Sequence, residues 1–157
     1  MIFTQEQEMI RDSLRQFAAE RLAPFAAEWD KQHSFPQQAL KELGELGVLG
    51  MVVPERWGGA ELDYVSLALA IEEVAVGDCA TSSIVSVQNS LACGITMNYG
   101  SDTQKDKYLT RLASGEWLGC FCLTEPHVGS DASAIRTTAV REGDAWVLNG
   151  VKQFITT

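Results

Sequence analysis

Apolar residues recur at helical spacing from the start of the chain to about Gly115, and at strand spacing beyond it. Thr4 with Gln7 makes a capping-box start. Ile10, Leu14, Phe17, Ala18, Arg21, Leu22 and Phe25 then follow one helical course, with Pro24 marking a kink or a restart. Ser34 and Pro36 open a second helix through Leu40 and Leu43, which Gly44 and Gly47 weaken and end. Residues 51–54 read as a short extended piece, followed by a Trp57-Gly58-Gly59 loop. Asp63 can cap a long apolar helix over 64–76. A break at Gly77-Asp78 precedes another helix over about 80–98. Ser101 with Gln104 starts the last one, which runs through Tyr108 and Leu112.

The period changes at Glu116. Residues 117–124 and 135–141 read as strands, and Gly143-Asp144 and Asn149-Gly150 are two-residue hairpin signals. Residues 145–148 and 151–156 therefore extend 135–141 into a meander. Alternation then puts Lys152, Phe154 and Thr156 on one face, with Gln153 and Ile155 on the other. Taken alone, that face is an ordinary half-buried strand bearing a Phe and a Thr.

Composition narrows the class. The 157 residues are 46% hydrophobic and 21% charged, ordinary values for a folded soluble protein. That length suffices for one good core. A net charge of −9 without a Lys/Arg-rich block argues against nucleic acid as a partner. No apolar run approaches the roughly 20 residues that span a membrane. The first residues, from Met1 to Glu6, carry no basic, apolar leader, so a cytoplasmic location is expected. Of the four cysteines, Cys79 and Cys93 lie in helical pattern, while Cys120 and Cys122 sit two apart on one face of an expected strand. A lone Cys-x-Cys with only His33 and His127 to help lacks zinc-site spacing, so no metal is expected and buried free thiols are the default.

The densest chemistry lies in residues 121–131, Phe-Cys-Leu-Thr-Glu-Pro-His-Val-Gly-Ser-Asp. An apolar run stops at Glu125-Pro126, where Pro126 lacks the N–H a ladder needs. Gly129 can adopt backbone angles closed to other residues and leave neighbouring N–H groups free for an anion. Hydroxyls at Thr124 and Ser130 bracket the turn. Such a segment can hold a flat polar ring at one end and a phosphate at the other, although a bare Gly-Ser-Asp triplet is usually a plain turn.

In order and spacing this string resembles the Thr-Glu-Pro…Gly-Ser-Asp segment of the acyl-CoA dehydrogenases. Residues 149–156, Asn-Gly-Val-Lys-Gln-Phe-Ile-Thr, resemble that family's Asn-Gly-x-Lys-x-aromatic-Ile-Thr strand. With the helical start, the resemblance spans the whole chain. It implies an α+β chain: an N-terminal all-α domain over 1–115, followed over 116–157 by the first strands of an incomplete β-barrel. The C-terminal helical bundle of such enzymes is absent, and the sequence reads as the N-terminal portion of a larger protein.

The resemblance further implies FAD as cofactor and oxidation of an acyl-CoA thioester to the trans-2-enoyl-CoA. In that reaction a carboxylate takes the α-proton while the β-hydride passes to the flavin. Phe121, Leu123 and Thr124 would line the isoalloxazine, Gly129 and Ser130 would lie near the pyrophosphate, and Ser130 would also approach the CoA portion of the substrate. Phe154, where the family usually has Trp or another aromatic, would lie against the ring, and Thr156 would donate toward its N5 edge. The helix over 81–91 would supply one wall of the acyl pocket through Ser83, Ile84 and Val87, although core packing explains Ile84 and Val87 equally well. A short or branched acyl chain is expected. No catalytic residue is assigned: the family's base is in most members a Glu of the missing bundle, and Glu125 occupies a turn position. Implied partners are an electron-transfer flavoprotein and further copies of the chain in a dimer or tetramer. An acyl-CoA oxidase or another flavoenzyme on the same scaffold is a rival reading. A non-catalytic binding module is a third, if the chain is naturally this short.

Overall fold

The computed structural model describes residues 2–157, so Met1 lies outside the described residues. The chain is mostly helical with one short two-stranded antiparallel sheet, and it forms two compact units, one ending at Gly119 and one spanning Cys120–Thr157.

Among the described residues the first unit contains seven α-helices: α1 (Gln5–Phe17), α2 (Ala23–Gln32), α3 (Gln37–Glu45), α4 (Tyr64–Gly77), α5 (Cys79–Val87), α6 (Gly94–Tyr99) and α7 (Asp102–Ala113). Their starts follow local chemistry. Thr4 and Ser101 each accept from the backbone N–H three residues on, while Gln7 and Gln104 reach back to the cap N–H. Asp63 and Asp78 cap α4 and α5. Gly47 and Gly115 take positive φ where α3 and α7 give way to loops.

A stripe of Leu14, Ala18 and Leu22 faces Leu67, Ala70 and Val74 of α4, and Leu40, Leu43, Ile84 and Val85 complete the main core. The kink expected at Pro24 is a π-helical turn, Ala18–Leu22, after which Pro24 sits in the first turn of α2, where its missing N–H costs nothing. A second cluster gathers Val53, Trp57, Cys93, Leu109, Leu112 and Ala113. Trp57 donates its indole N–H to Asp106 at 3.0 Å.

Two sequence expectations in this unit need correction. Residues 51–54 are not extended. Burial of Met51 and Val53 folds them into successive turns, and their carbonyls accept from the returning chain: Leu62 N–H to Met51 at 2.7 Å and Glu61 N–H to Val53 at 3.0 Å. The helix expected over 80–98 is interrupted by a π-helical turn, Gln88–Cys93. In a regular helix consecutive side chains diverge by about 100°. The wider turn lets both amides of Gln88 and Asn89 point inward, where each is fully buried. Asn89 accepts from Met51 N–H (2.9 Å) and donates to the carbonyls of Val48 (2.9 Å) and Val85 (3.0 Å). Gln88 donates to the carbonyls of Leu112 (2.7 Å) and Trp117 (2.9 Å) and accepts from Gly119 N–H (2.8 Å).

Arg21 and Glu42 form a two-pronged pair at 2.8 and 2.5 Å, joined by the Gln38 amide at 2.9 Å. These donors, Arg21 first, lower the Glu42 carboxyl from the usual 4.5 to about 2. A depressed folded-state value stabilises the fold above the unfolded value, and the stabilisation is lost as pH falls through the folded one. Acidification from about 4.5 to about 2 should therefore lower the melting temperature less in Glu42→Gln than in the parent protein. Parallel acid-induced slopes in the two proteins would refute this assignment.

The second unit contains the sheet. β1 (Thr138–Glu142) pairs antiparallel with β2 (Ala145–Asn149), from Glu142↔Ala145 at the turn to Thr138↔Asn149. Gly143 turns the chain with φ +62, as the Gly143-Asp144 signal predicts. The other expected strands are not formed. Residues 117–124 have no ladder partner among the described residues, and the backbone bends at Cys122, where Leu123 N–H bonds to Phe121 O (3.1 Å). Asn149-Gly150 is not a hairpin. Gly150 lies against Thr137, where an added Cβ would sit 2.1 Å from Thr137 Oγ1 and 2.8 Å from its Cα, so the chain runs on instead of turning back. Residues 151–156 form no strand, and positive φ at Phe154 (+56) breaks the expected alternation.

Among the described residues no helix is long and apolar enough to cross a membrane. The expected buried thiols are found only at Cys93, whose burial pushes its thiol up to about 12. Cys79, Cys120 and Cys122 are exposed.

Candidate functional site

Residues 125–128 close a tight turn in which Glu125 and Val128 exchange both backbone hydrogen bonds at 3.0 Å. Pro126 and His127 occupy the turn and keep the chain from continuing as a strand. The turn leaves the Glu125 side chain almost completely enclosed, at 2% exposure. Its carboxylate is surrounded by donors. Arg136 N–H reaches one oxygen at 2.8 Å, and Thr137 N–H and Lys152 Nζ reach the other at 2.9 and 3.0 Å. His127 Nε2 lies 3.5 Å away.

The adjoining Thr137 hydroxyl, the Arg136 and Thr137 N–H groups and the Lys152 ammonium hold the Glu125 carboxyl far below the usual range. Thr137 Oγ1 is itself buried without a partner of good geometry, so the two backbone donors and the ammonium carry most of the effect. A carboxylate so saturated is a poor proton acceptor near neutrality. It is an anchor for the turn and not a general base.

Lys152 also donates to Leu123 O (3.0 Å), and Gln153 N–H to Thr124 O (2.9 Å). These bonds bring the two motif segments, 121–131 and 149–156, side by side although strand pairing between them is absent. Phe121 is 42% exposed and Phe154 84%, so both present open aromatic surface. Leu123, Thr124 and Thr156 are half-buried. The hydroxyls of Thr124, Thr156 and Ser130 make no hydrogen bond among the described residues. Gly129 lacks the expected special conformation: its φ is not positive and an added Cβ would meet nothing within 4 Å. Asp131 caps the short 3-10 turn Ala132–Ala134.

The remaining site candidates lie in the helical unit. Ser83 is exposed on α5 and donates to Cys79 O (3.2 Å), Val87 is half-buried, and Ile84 is part of the main core. A cavity of about 1040 Å³ in this unit is lined by Trp29, Phe35, Leu40, Leu118 and neighbours, and Ser83, Ile84 and Val87 do not border it.

Sequence reasoning missed the Glu125–Lys152 pair and the Gln88–Asn89 amides. The first pair sits within the two motifs, but no spacing rule joins residues 27 apart. The second was detectable as two adjacent amides inside an otherwise apolar helical run.

Residues 4–116 match the profile of the acyl-CoA dehydrogenase N-terminal domain, and residues 120–157 match that of the acyl-CoA dehydrogenase middle domain. The human short-chain specific acyl-CoA dehydrogenase is 49% identical over 149 residues, which cover 95% of this chain and 36% of the human protein. A chain from the solved structure of the electron transferring flavoprotein of Acidaminococcus fermentans superposes with a TM-score of 0.93 at 42% identity, over 99% of this chain and 41% of that one. A glutaryl-CoA dehydrogenase from Mycobacterium smegmatis, solved in complex with FADH2, gives 0.90 at 42% identity, over 98% and 39%. The chain thus spans well under half the length of these relatives.

Proposed function

This chain belongs to the acyl-CoA dehydrogenase family, and on that premise we propose that it is part of an FAD-dependent enzyme that oxidises a short-chain acyl-CoA thioester to the trans-2-enoyl-CoA. The observation that supports the reading most directly is the joining of the two motif segments through Lys152 and Gln153. It leaves two open aromatic faces and uncommitted hydroxyls in one small unit. Those groups fit a flat ring with polar edges, and a solved relative carries the reduced form of this cofactor. FAD, when bound, supplies the hydride acceptor.

The chain's own residues have positioning roles in this reading. Phe121 and Leu123 pack on the ring, and Phe154 covers it. Thr124 and Thr156 donate hydrogen bonds to its polar edge, where negative charge builds up during turnover. Gly129 and Ser130 approach the pyrophosphate, and Ser130 also approaches the CoA portion of the substrate. On α5, Ser83 and Val87 offer surface to the acyl group, while Ile84 backs them from the core. None of this chain's carboxylates is assigned as the base that takes the α-proton. An electron-transfer flavoprotein as acceptor and a dimer or tetramer as the assembly complete the proposal.

The test is anaerobic titration of the complete, flavin-loaded protein with butyryl-CoA. The visible flavin absorption should bleach stoichiometrically, and Thr124→Val should slow the bleaching by roughly a hundredfold, the order expected for one lost donor at the developing charge. A spectrum unchanged by short, long or branched acyl-CoA would overturn the reading. Rapid reoxidation of the bleached flavin by air would transfer the protein to the oxidase class.

A further inference from the structure

The thiols of Cys120 and Cys122 stand 3.6 Å apart, both are exposed, and they flank Phe121 on the segment just before the Glu125 turn. Alternate residues of a fully extended chain have Cα atoms about 7 Å apart, too far for a disulfide, which prefers about 5.5–6 Å. The backbone here is not fully extended. The hydrogen bond from Leu123 N–H to Phe121 O pinches the chain at Cys122, and the two sulfurs end on one side of it. No other exposed cysteine among the described residues has such a partner: Cys79 stands alone and Cys93 is buried.

We propose that Cys120 and Cys122 form a dithiol site that reacts with low-molecular-weight disulfides and closes to an intramolecular Cys120–Cys122 disulfide. Either sulfur of the pair can accept the other's hydrogen, and with Cys122 as the donor the Cys120 thiolate attacks first. That thiolate displaces one half of the small disulfide, giving a mixed disulfide at Cys120 and one free small thiolate. Cys122 then loses its proton to water. The Lys152 ammonium, held nearby on Leu123 O and Glu125, favours the resulting negative charge. The Cys122 thiolate attacks Cys120 Sγ, the mixed disulfide breaks, and the second small thiolate leaves. Two protein thiols have been oxidised and one small disulfide reduced to two thiols. The second step needs the sulfurs to move only from 3.6 Å to about 2.05 Å. Proximity of this kind makes ring closure fast relative to any bimolecular reaction.

The site is tested by incubating the complete protein with oxidised glutathione, quenching with acid and mapping peptides by mass without reduction. The peptide holding residues 120–122 should lose two hydrogen atoms, with the closed form exceeding the glutathione adduct by at least about tenfold. Cys79 should yield only an adduct. Cys122→Ser should convert the product to a stable adduct at Cys120. Dominant adducts in the parent protein, or a pair no more reactive than Cys79, would overturn the proposal. The parent-protein measurement decides the matter even if the variant fails to fold, and it does not depend on flavin or acyl-CoA binding.

Discussion

Replacing Asn89 by leucine should destabilise the helical unit by about 3–5 kcal/mol, among the largest losses expected of any single substitution in it. Asn89 is fully enclosed, and its amide makes three hydrogen bonds, all to backbone: it accepts from Met51 N–H and donates to Val48 O and Val85 O. Leucine matches the branching of the side chain but is larger, and it supplies neither donor nor acceptor. Each backbone group left unpaired in the interior costs about 1–3 kcal/mol, and Met51 N–H and Val48 O both lose their partner, whereas Val85 O keeps the Gln88 N–H. The groups lie in the 3-10 turn Val48–Gly50, the loop after it and α5, so the amide connects parts of the chain 38 and 41 residues distant. Urea denaturation followed by far-ultraviolet circular dichroism measures the loss. A change below about 1 kcal/mol would show that the two backbone groups find other partners. Gln88→Leu should behave similarly, but the two losses will not add, because the residues share one helical turn.

The second large effect is expected at Glu125. Converting it to glutamine removes the charge while keeping the shape. One side-chain oxygen then becomes an NH2 group facing N–H donors and an ammonium, so at least one of Arg136 N–H, Thr137 N–H and Lys152 Nζ is left without an acceptor. Amide hydrogen exchange at Arg136 and Thr137 should accelerate by about 10–100-fold, the range that follows from losing hydrogen bonds to a charged acceptor. Lys152 would lose the charge of its partner and keep Leu123 O, loosening the contact between the two motif segments, and flavin affinity of the complete protein should fall by at least about tenfold. Unchanged exchange at both amides would remove Glu125 from its anchoring role. Faster exchange with unchanged flavin affinity would instead count against the proposed cofactor site.

The pH dependence of this anchor has a fixed sign. The Glu125 carboxyl is held far below its ordinary value, so its stabilisation is present at neutral pH and disappears only under strong acid. The second unit should keep its turn throughout the range in which ordinary exposed carboxylates titrate.

Legibility in the sequence varied with the range of the interaction responsible. The capping boxes at Thr4 and Ser101, the Asp63 cap, the breaks at Pro24 and Gly77-Asp78 and the Gly143-Asp144 hairpin all depend on groups within four residues of one another. Local chemistry decides such features, and pattern reading finds them. The π-helical turn at Gln88–Cys93 escaped it, because what stabilises that turn is the set of carbonyls and N–H groups its two amides reach across the core. The run at 51–54 reads as a short extended piece for the same reason: apolar residues report burial, and a buried turn is as apolar as an extended segment.

In the candidate site, residue types and spacing were enough to mark 121–131 and 149–156 as the segments with unusual chemistry. They also set Glu125 aside as a turn residue and indicated the family to which the chain belongs. Tertiary structure alone decided that Glu125 is an enclosed anion held by two amides and Lys152, that Gly150 yields to Thr137 instead of turning a hairpin, and that two cysteine sulfurs approach to 3.6 Å. The physical reason is common to all three. Local propensity is encoded in neighbouring residues, whereas enclosure, close approach and charge pairing arise only once distant segments have been packed together.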